Sequence, residues 1–175
     1  KAWEGNYAGG SKANKVDIVK WFTDRNIVVR GHTLLWPGWG NSPTDLQGLA
    51  GNLPALKTRI FNHIDEMLNY PGMKNIITDW DVLNEFTGNT SIANAFKGST
   101  GYPTGREIYT EIFNYVDQIA PGTKKYVNEA HLTNIYVKEN LFKNYVKQMV
   151  DEGSKGVNVG FQAHFRYMIP PEHSG

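Results

Sequence analysis

Residues 79–85 read Asp79-Trp80-Asp81-Val82-Leu83-Asn84-Glu85, an apolar run that closes on an amide and a carboxylic acid. Val82 and Leu83 belong in a short buried strand, the kind that lies inside a parallel sheet. Ending such a strand with Asn-Glu puts a carboxyl where backbone and aromatic side chains exclude water. A carboxyl out of water holds its proton more readily, as a general acid at neutral pH must. On its own, an Asn-Glu pair at a strand end is ordinary solvated polar chemistry. The meaning of the run therefore depends on its flanks.

Working outward, four runs rich in Val, Ile or aromatics predict strands over 27–35, 75–84, 124–128 and 157–163. Helical spacing fills the gaps. Ala13, Val16, Val19 and Phe22 mark one face of a helix near 12–25, and Leu53, Leu56, Ile60, Ile64 and Met67 mark a second. Pro54 suits the first turn of that second helix, and Tyr70-Pro71-Gly72 ends it. Ile108, Ile112, Val116 and Ile119 repeat the spacing up to Ala120-Pro121-Gly122, and Leu141, Tyr145 and Met149 give a last helix that stops at Gly153. Helices and strands thus alternate, which predicts a parallel sheet with helical crossovers. There is no internal repeat and no low-complexity linker.

Two architectures suit that order, an open doubly wound sheet and a (β/α)8 barrel. An open dinucleotide-binding sheet wants a Gly-rich turn after a strand, and no G-x-G-x-x-G occurs. A barrel gathers its chemistry at the C-terminal ends of its strands. Polar residues do collect there: His32 and Trp36, Asn84 and Glu85, Asn128 and Glu129, Gln162 and His164. Four or five strands are visible, whereas a barrel needs eight.

Composition narrows the partners. The 175 residues are 40% apolar and 20% charged with a formal net charge of +1, which gives no bulk attraction to nucleic acid or to an anionic membrane. No stretch approaches a membrane span. The absence of cysteine excludes disulfides, thiolate metal sites and cysteine nucleophiles. No signal peptide is visible, and the chain opens at Lys1 without an initiator Met, so processing or truncation upstream is expected. Aromatic residues reach 13%. Most such rings fill cores, but they also stack on the apolar faces of sugars.

Four segments carry a resemblance. RGHTLLW at 30–36, WDVLNE at 80–85, VNEAH at 127–131 and FQAH at 161–164 occur in this order. They resemble, at compatible spacing, the RGHTLVWH, WDVVNE, NDYN-like and Q-S-H runs of glycoside hydrolase family 10, the endo-β-1,4-xylanases. The resemblance covers most of the chain. It implies an incomplete (β/α)8 barrel, roughly strands 3–6 with their helices, and a retaining glycosidase acting on xylan or xylo-oligosaccharides. It implies Glu85 as the acid/base and Asn84 as the amide that binds the sugar 2-hydroxyl at the cleavage point. His32 and Trp36 match residues lining that subsite, and Asp81 matches the partner that fixes the tautomer of His32. Asn128 matches the Asn of the strand-five run, and Gln162 and His164 match the strand-six polar pair. Lys1, followed by Trp3 and Glu4, matches the Lys of an early Lys-Trp segment, with one residue intervening. The chemistry calls for no metal or cofactor. A polymeric substrate implies a secreted, cell-surface or periplasmic protein.

The departures are equally specific. The family's nucleophile is the Glu of an I-T-E-x-D run on strand seven, and no such run exists here. Strands seven and eight are expected to be missing, with strand one and all or part of strand two. Glu172, beside Pro170-Pro171, is the only acid after His164 and is a poor candidate. Glu129 stands where the family has Asp, on the wrong strand for the covalent step. The remaining strands must come from the same or another chain, and this chain alone is expected to be inactive. After Trp36 the family's H-S-Q-x-P-x-W is replaced by Pro37-Gly38-Trp39-Gly40-Asn41-Ser42-Pro43. At least one of Trp36 and Trp39 is expected to offer a ring face to sugar. Trp80 reads as core, His63 and His173 as surface, and Lys124-Lys125 as a solvated turn. The competing functions are a non-catalytic carbohydrate-binding fragment and another Asn-Glu barrel glycosidase such as a β-glucanase.

Overall fold

A computed structural model describes residues 12–130, 132 and 136–163. Lys1, His164, Glu172 and His173 lie outside the described residues, so the expectations for them are not carried further. The elements follow in the order α1 (Lys12–Thr23), β1 (Arg30–Leu35), a short 3-10 turn (Gln47–Leu49), α2 (Leu53–Asn69), β2 (Asp79–Asn84), α3 (Ser91–Phe96), α4 (Glu107–Ile119), β3 (Lys124–Ala130), α5 (Tyr136–Asp151) and β4 (Val157–Gln162). The four strands pair in parallel in sequence order.

Local chemistry explains the boundaries. Asn52 caps α2 by accepting the Ala55 N–H at 3.2 Å, and Pro54 lies in the first turn, where a missing N–H costs nothing. Two strands start later than the apolar runs suggest. Ile27 and Val28 stay exposed ahead of the first paired residue, Arg30. Asn75 adopts a left-handed conformation (φ 63°) within a turn, which a strand cannot accommodate. The six-residue α3 has no counterpart among the sequence expectations.

Alternation of side chains divides the sheet into two faces. The helix-facing side carries Trp80, Val82 and Val127, all buried in one core with Leu56, Ile60 and Ile64 of α2 and Ile108, Ile112, Phe113 and Val116 of α4. Helix α2 packs on α4, and α4 on α5, so these crossovers form one layer on one side of the sheet. A doubly wound sheet would divide its helices between both faces. The opposite face carries Arg30, His32, Asp81, Tyr126, Asn128 and Gln162, joined across strands by polar contacts. A one-sided helical layer around a polar inner face is the arrangement of a (β/α)8 barrel, and this sheet is an arc of one.

Close packing fixes two glycines. A Cβ on Gly31 would stand 2.2 Å from the Trp80 ring, and one on Gly160 would stand 2.8 Å from both Arg30 and Asn128. Two expectations are corrected. His63 is buried, because it shares the α2 stripe of Leu56, Ile60 and Met67 at three- and four-residue steps. Lys125 is 2% exposed rather than in a solvated turn. Its position in β3 points it beneath α4, where Nζ donates to Asp117 Oδ2 at 2.6 Å and to the Phe113 carbonyl at 3.3 Å. Among the described residues, no helix is long and apolar enough to cross a membrane.

Candidate active site

The polar face begins with a clamp on Asp81. His32 and Asp81 are register partners on β1 and β2, and His32 Nδ1 lies 2.8 Å from Asp81 Oδ2. The other carboxylate oxygen accepts from Arg30, whose Nε lies at 3.0 Å and whose Nη2 also makes contact. The Arg30 guanidinium sits 3.6 Å from the centroid of the Tyr126 ring on β3. Asp81 is thus held from both sides in a buried position, and one imidazole nitrogen of His32 is committed to it. Trp36 stands near His32 with ring centroids 6.4 Å apart, edge to face. Trp39 packs against the hydrophobic core instead.

At the C-terminal edge of β2, Asn84 and Glu85 meet residues from the next two strands. Asn84 Oδ1 accepts from Gln162 Nε2 at 2.8 Å and from Asn128 Nδ2 at 3.2 Å. Its Nδ2 is buried and has no partner among the described residues. A buried amide donor left uncommitted is costly unless a ligand takes it up. Gln162 Nε2 also donates to Glu85 Oε1 at 3.0 Å. Glu85 itself takes a left-handed backbone (φ 52°), unusual for a residue with a side chain. Its N–H donates to the Asn128 carbonyl at 2.8 Å, and its own carbonyl accepts the backbone N–H and the Nδ2 of Asn89, each at 3.0 Å. The strand therefore ends in a sharp turn that leaves the Glu85 carboxyl half-buried beside Asn84 and Gln162.

Glu129 differs from its neighbour Asn128. It faces the helices and is fully buried. Oε2 accepts from the Thr87 hydroxyl at 2.6 Å and the Thr87 N–H at 3.1 Å, while Oε1 accepts from the Ala130 N–H at 2.9 Å and pairs with Lys138 at 2.8 Å. Every lone pair is spent on structure, so this carboxylate is turned away from the polar face.

The structure brings together His32, Asp81, Asn84, Glu85, Asn128 and Gln162, with Trp36 beside them. Four residues that shape the site were not singled out from sequence. Arg30 had a signal, since it lies two residues from His32 on the same face. Gly160 had none beyond being a glycine in a strand. Asn41 and Asn89 sit on separate loops and carry no local signal. Among the described residues no cluster of His, Asp or Glu has the makings of a metal site.

The sequence model of glycosyl hydrolase family 10 matches residues 8–174. The chain belongs to that family. Family 10 is a (β/α)8 barrel, and the one-sided arc of four parallel strands fits an incomplete one. An endo-1,4-beta-xylanase A from Thermoanaerobacterium saccharolyticum is 30% identical over 169 residues, covering 92% of this chain and 14% of its own. A protein named exoglucanase XynX from Acetivibrio thermocellus is 31% identical over 170 residues, covering 92% of this chain and 15% of its own. Among solved structures, xylanase B from Clostridium stercorarium F9 superposes with a TM-score of 0.67 at 25% identity, over 94% of this chain and 52% of that one. Xylanase10C from Cellvibrio japonicus, solved with xylopentaose, gives a TM-score of 0.74 at 20% identity, over 93% and 33%. This chain therefore spans about half or less of these family 10 proteins.

Proposed function

We propose that this chain supplies the acid/base half of a retaining endo-β-1,4-xylanase, with Glu85 as the general acid/base and the nucleophilic Glu outside these 175 residues. The observation that carries the reading is the contrast in saturation around Glu85. Its backbone is gripped at both ends, yet its carboxyl has one hydrogen-bond donor among the described residues, Gln162, and faces the polar side of the sheet. A retaining mechanism needs two carboxyls about 5–5.5 Å apart, and this chain supplies one of them. In the first step Glu85 gives its proton to the glycosidic oxygen while the partner carboxylate attacks the anomeric carbon. The sugar–oxygen bond breaks and a glycosyl ester forms. In the second step Glu85 takes a proton from water, whose oxygen displaces the ester and releases the sugar.

Asn84 contributes its uncommitted Nδ2 to the sugar 2-hydroxyl, a contact that strengthens as charge develops at the anomeric carbon. Asn128 and Gln162 hold that amide in orientation, His32 set by Asp81 offers a directional polar group, and Trp36 adds apolar surface. The rest of the barrel, from the same or another chain, covers the open edges of the sheet and brings the nucleophile. Xylan is too large to enter a cell, so the enzyme works in a secreted, cell-surface or periplasmic setting. The relative named as an exoglucanase favours a second reading, a β-glucanase on the same scaffold.

The test is the stereochemistry of hydrolysis by a protein that carries these residues together with the remaining strands. Proton NMR during cleavage of xylotetraose should show the β-anomer of the new reducing end first, with mutarotation following. First appearance of the α-anomer would contradict the two-step mechanism. Cleavage of β-1,4-gluco-oligosaccharides in place of xylo-oligosaccharides would select the second reading.

A further inference from the structure

We propose that Asn89, oriented by Asn41 in the loop after β1, is a positioning residue for the acid/base, a role that rests on the reading of Glu85 given above. A left-handed residue with a side chain persists only where its surroundings hold it, and the direction of its carbonyl sets where the turn leads. At Glu85 (φ 52°) that carbonyl accepts two donors from one residue, the backbone N–H and the Nδ2 of Asn89, both at 3.0 Å. The backbone donor is available whatever side chain stands at 89. The side-chain donor requires an amide, turned so that nitrogen faces Glu85.

Asn41 supplies that orientation. Its Nδ2 donates to Asn89 Oδ1 at 3.0 Å, which leaves Asn89 Nδ2 for the Glu85 carbonyl. Gly38 makes room, since a Cβ there would stand 2.5 Å from Asn89 Oδ1. The Ile92 N–H donates to the Pro37 carbonyl at 3.1 Å and ties the same two loops a second time. Pro37, Gly38 and Asn41 all belong to the stretch in which this chain departs from the family's H-S-Q-x-P-x-W pattern. The rebuilt loop therefore has a function at a distance: it braces the turn on which the proton donor sits.

Proton donation is demanding where the leaving group is poor and nearly dispensable where it is good, so misplacement of Glu85 has a kinetic signature that general destabilisation lacks. The experiment measures the first step on phenyl and dinitrophenyl β-xylobiosides with the barrel-complete enzyme, for wild type, Asn89→Ala, Asn41→Ala and Glu85→Ala. Asn89→Ala should slow the phenyl substrate about tenfold and the dinitrophenyl substrate by less than about twofold, with KM little changed, the scale of one hydrogen bond. Asn41→Ala, in a half-buried loop that should tolerate it, should show the same selectivity at about threefold. Equal losses on both substrates, or no loss on either, would overturn the positioning role while leaving Glu85 intact, provided Glu85→Ala itself discriminates strongly between the two. If Glu85→Ala does not discriminate, Glu85 is not the acid and the proposal for Asn89 falls with it.

Discussion

Glu85 and Glu129 end neighbouring strands of one sheet, yet they meet opposite surroundings. Glu129 looks toward the helices, is sealed from water, and has both oxygens occupied by Thr87, Ala130 and Lys138. Glu85 looks toward the polar face, is half-buried, and shares its carboxyl with Gln162. The hydrogen bonds around Glu85 are concentrated on its backbone instead, through Asn128 and Asn89. A saturated carboxylate is a structural part, because a proton has no vacant oxygen to occupy without breaking a bond. Among the described residues the Glu85 carboxyl has one hydrogen-bond donor, Gln162, so its geometry leaves room for a reacting group on the polar face. The two faces of the sheet thus differ, with saturated contacts toward the helices and the proposed site on the other side.

That division can be broken from the helix side first. Phe86 follows Glu85 in sequence but points the other way, fully buried against Tyr109 and Phe142, each with ring centroids 5.7 Å away, and near Tyr145 at 6.0 Å. Phe86→Ala in the barrel-complete protein should cost about 3–5 kcal/mol in urea unfolding. Glu85→Ala, one residue away, should change stability by less than about 1 kcal/mol. Comparable losses from both would erase the distinction between the faces.

A smaller effect is expected at Glu129. Glu129→Gln removes the charge that Lys138 pairs with while keeping the shape, and should cost about 2–3 kcal/mol. Its turnover per folded molecule should remain near wild type, measured as kcat on xylan corrected for the folded fraction. A selective loss of kcat with unchanged stability would give Glu129 a part in the chemistry.

The smallest effect concerns a third carboxylate, Glu107 at the start of α4. Burial acts to raise its pKa, but the Thr104 hydroxyl at 2.7 Å and the Thr104 N–H at 3.2 Å, together with further backbone N–H groups, outweigh burial and hold it below the ordinary value. A depressed carboxyl contributes stability above its unfolded-state pKa and loses it as pH falls through the lower folded value. Unfolding curves on the acid side of that ordinary range should therefore be flatter for Glu107→Gln than for wild type. Identical acid limbs would show that Glu107 carries no linkage.

Much of this arrangement was legible in the sequence. The apolar runs gave the four parallel strands, and helical spacing gave the crossovers. Register follows from alternation: once His32 and Asp81 fall on adjacent strands and the same face, their contact is a matter of geometry. The same rule, applied from Asn128, turns Glu129 toward the helices. His63 lies on the α2 stripe, yet it reads as surface from sequence because the sequence names no partner for its ring. Lys125 reads as a solvated turn because a buried lysine needs a partner, and that partner, Asp117, lies eight residues earlier on a different element. The brace of Asn41 on Asn89 was not legible, since it joins two loops 48 residues apart and depends on how each one turns. Trp36 and Trp39 are three residues apart, and only the path of the loop puts the first beside His32 and the second against the core.

The central claim, that Glu85 is the proton donor and acceptor, is tested most directly by azide rescue of Glu85→Ala. The barrel-complete variant is given dinitrophenyl β-xylobioside with and without sodium azide. The good leaving group needs little protonation, so the glycosyl ester should form at close to the wild-type rate and then accumulate, because no base remains to activate water. On xylan the variant should lose about 10²–10⁴-fold. Azide attacks without a base, so turnover of the aryl substrate should rise with azide concentration and yield the β-glycosyl azide. Equal losses on xylan and aryl substrate, no accumulating ester and no azide product would contradict the assignment of Glu85.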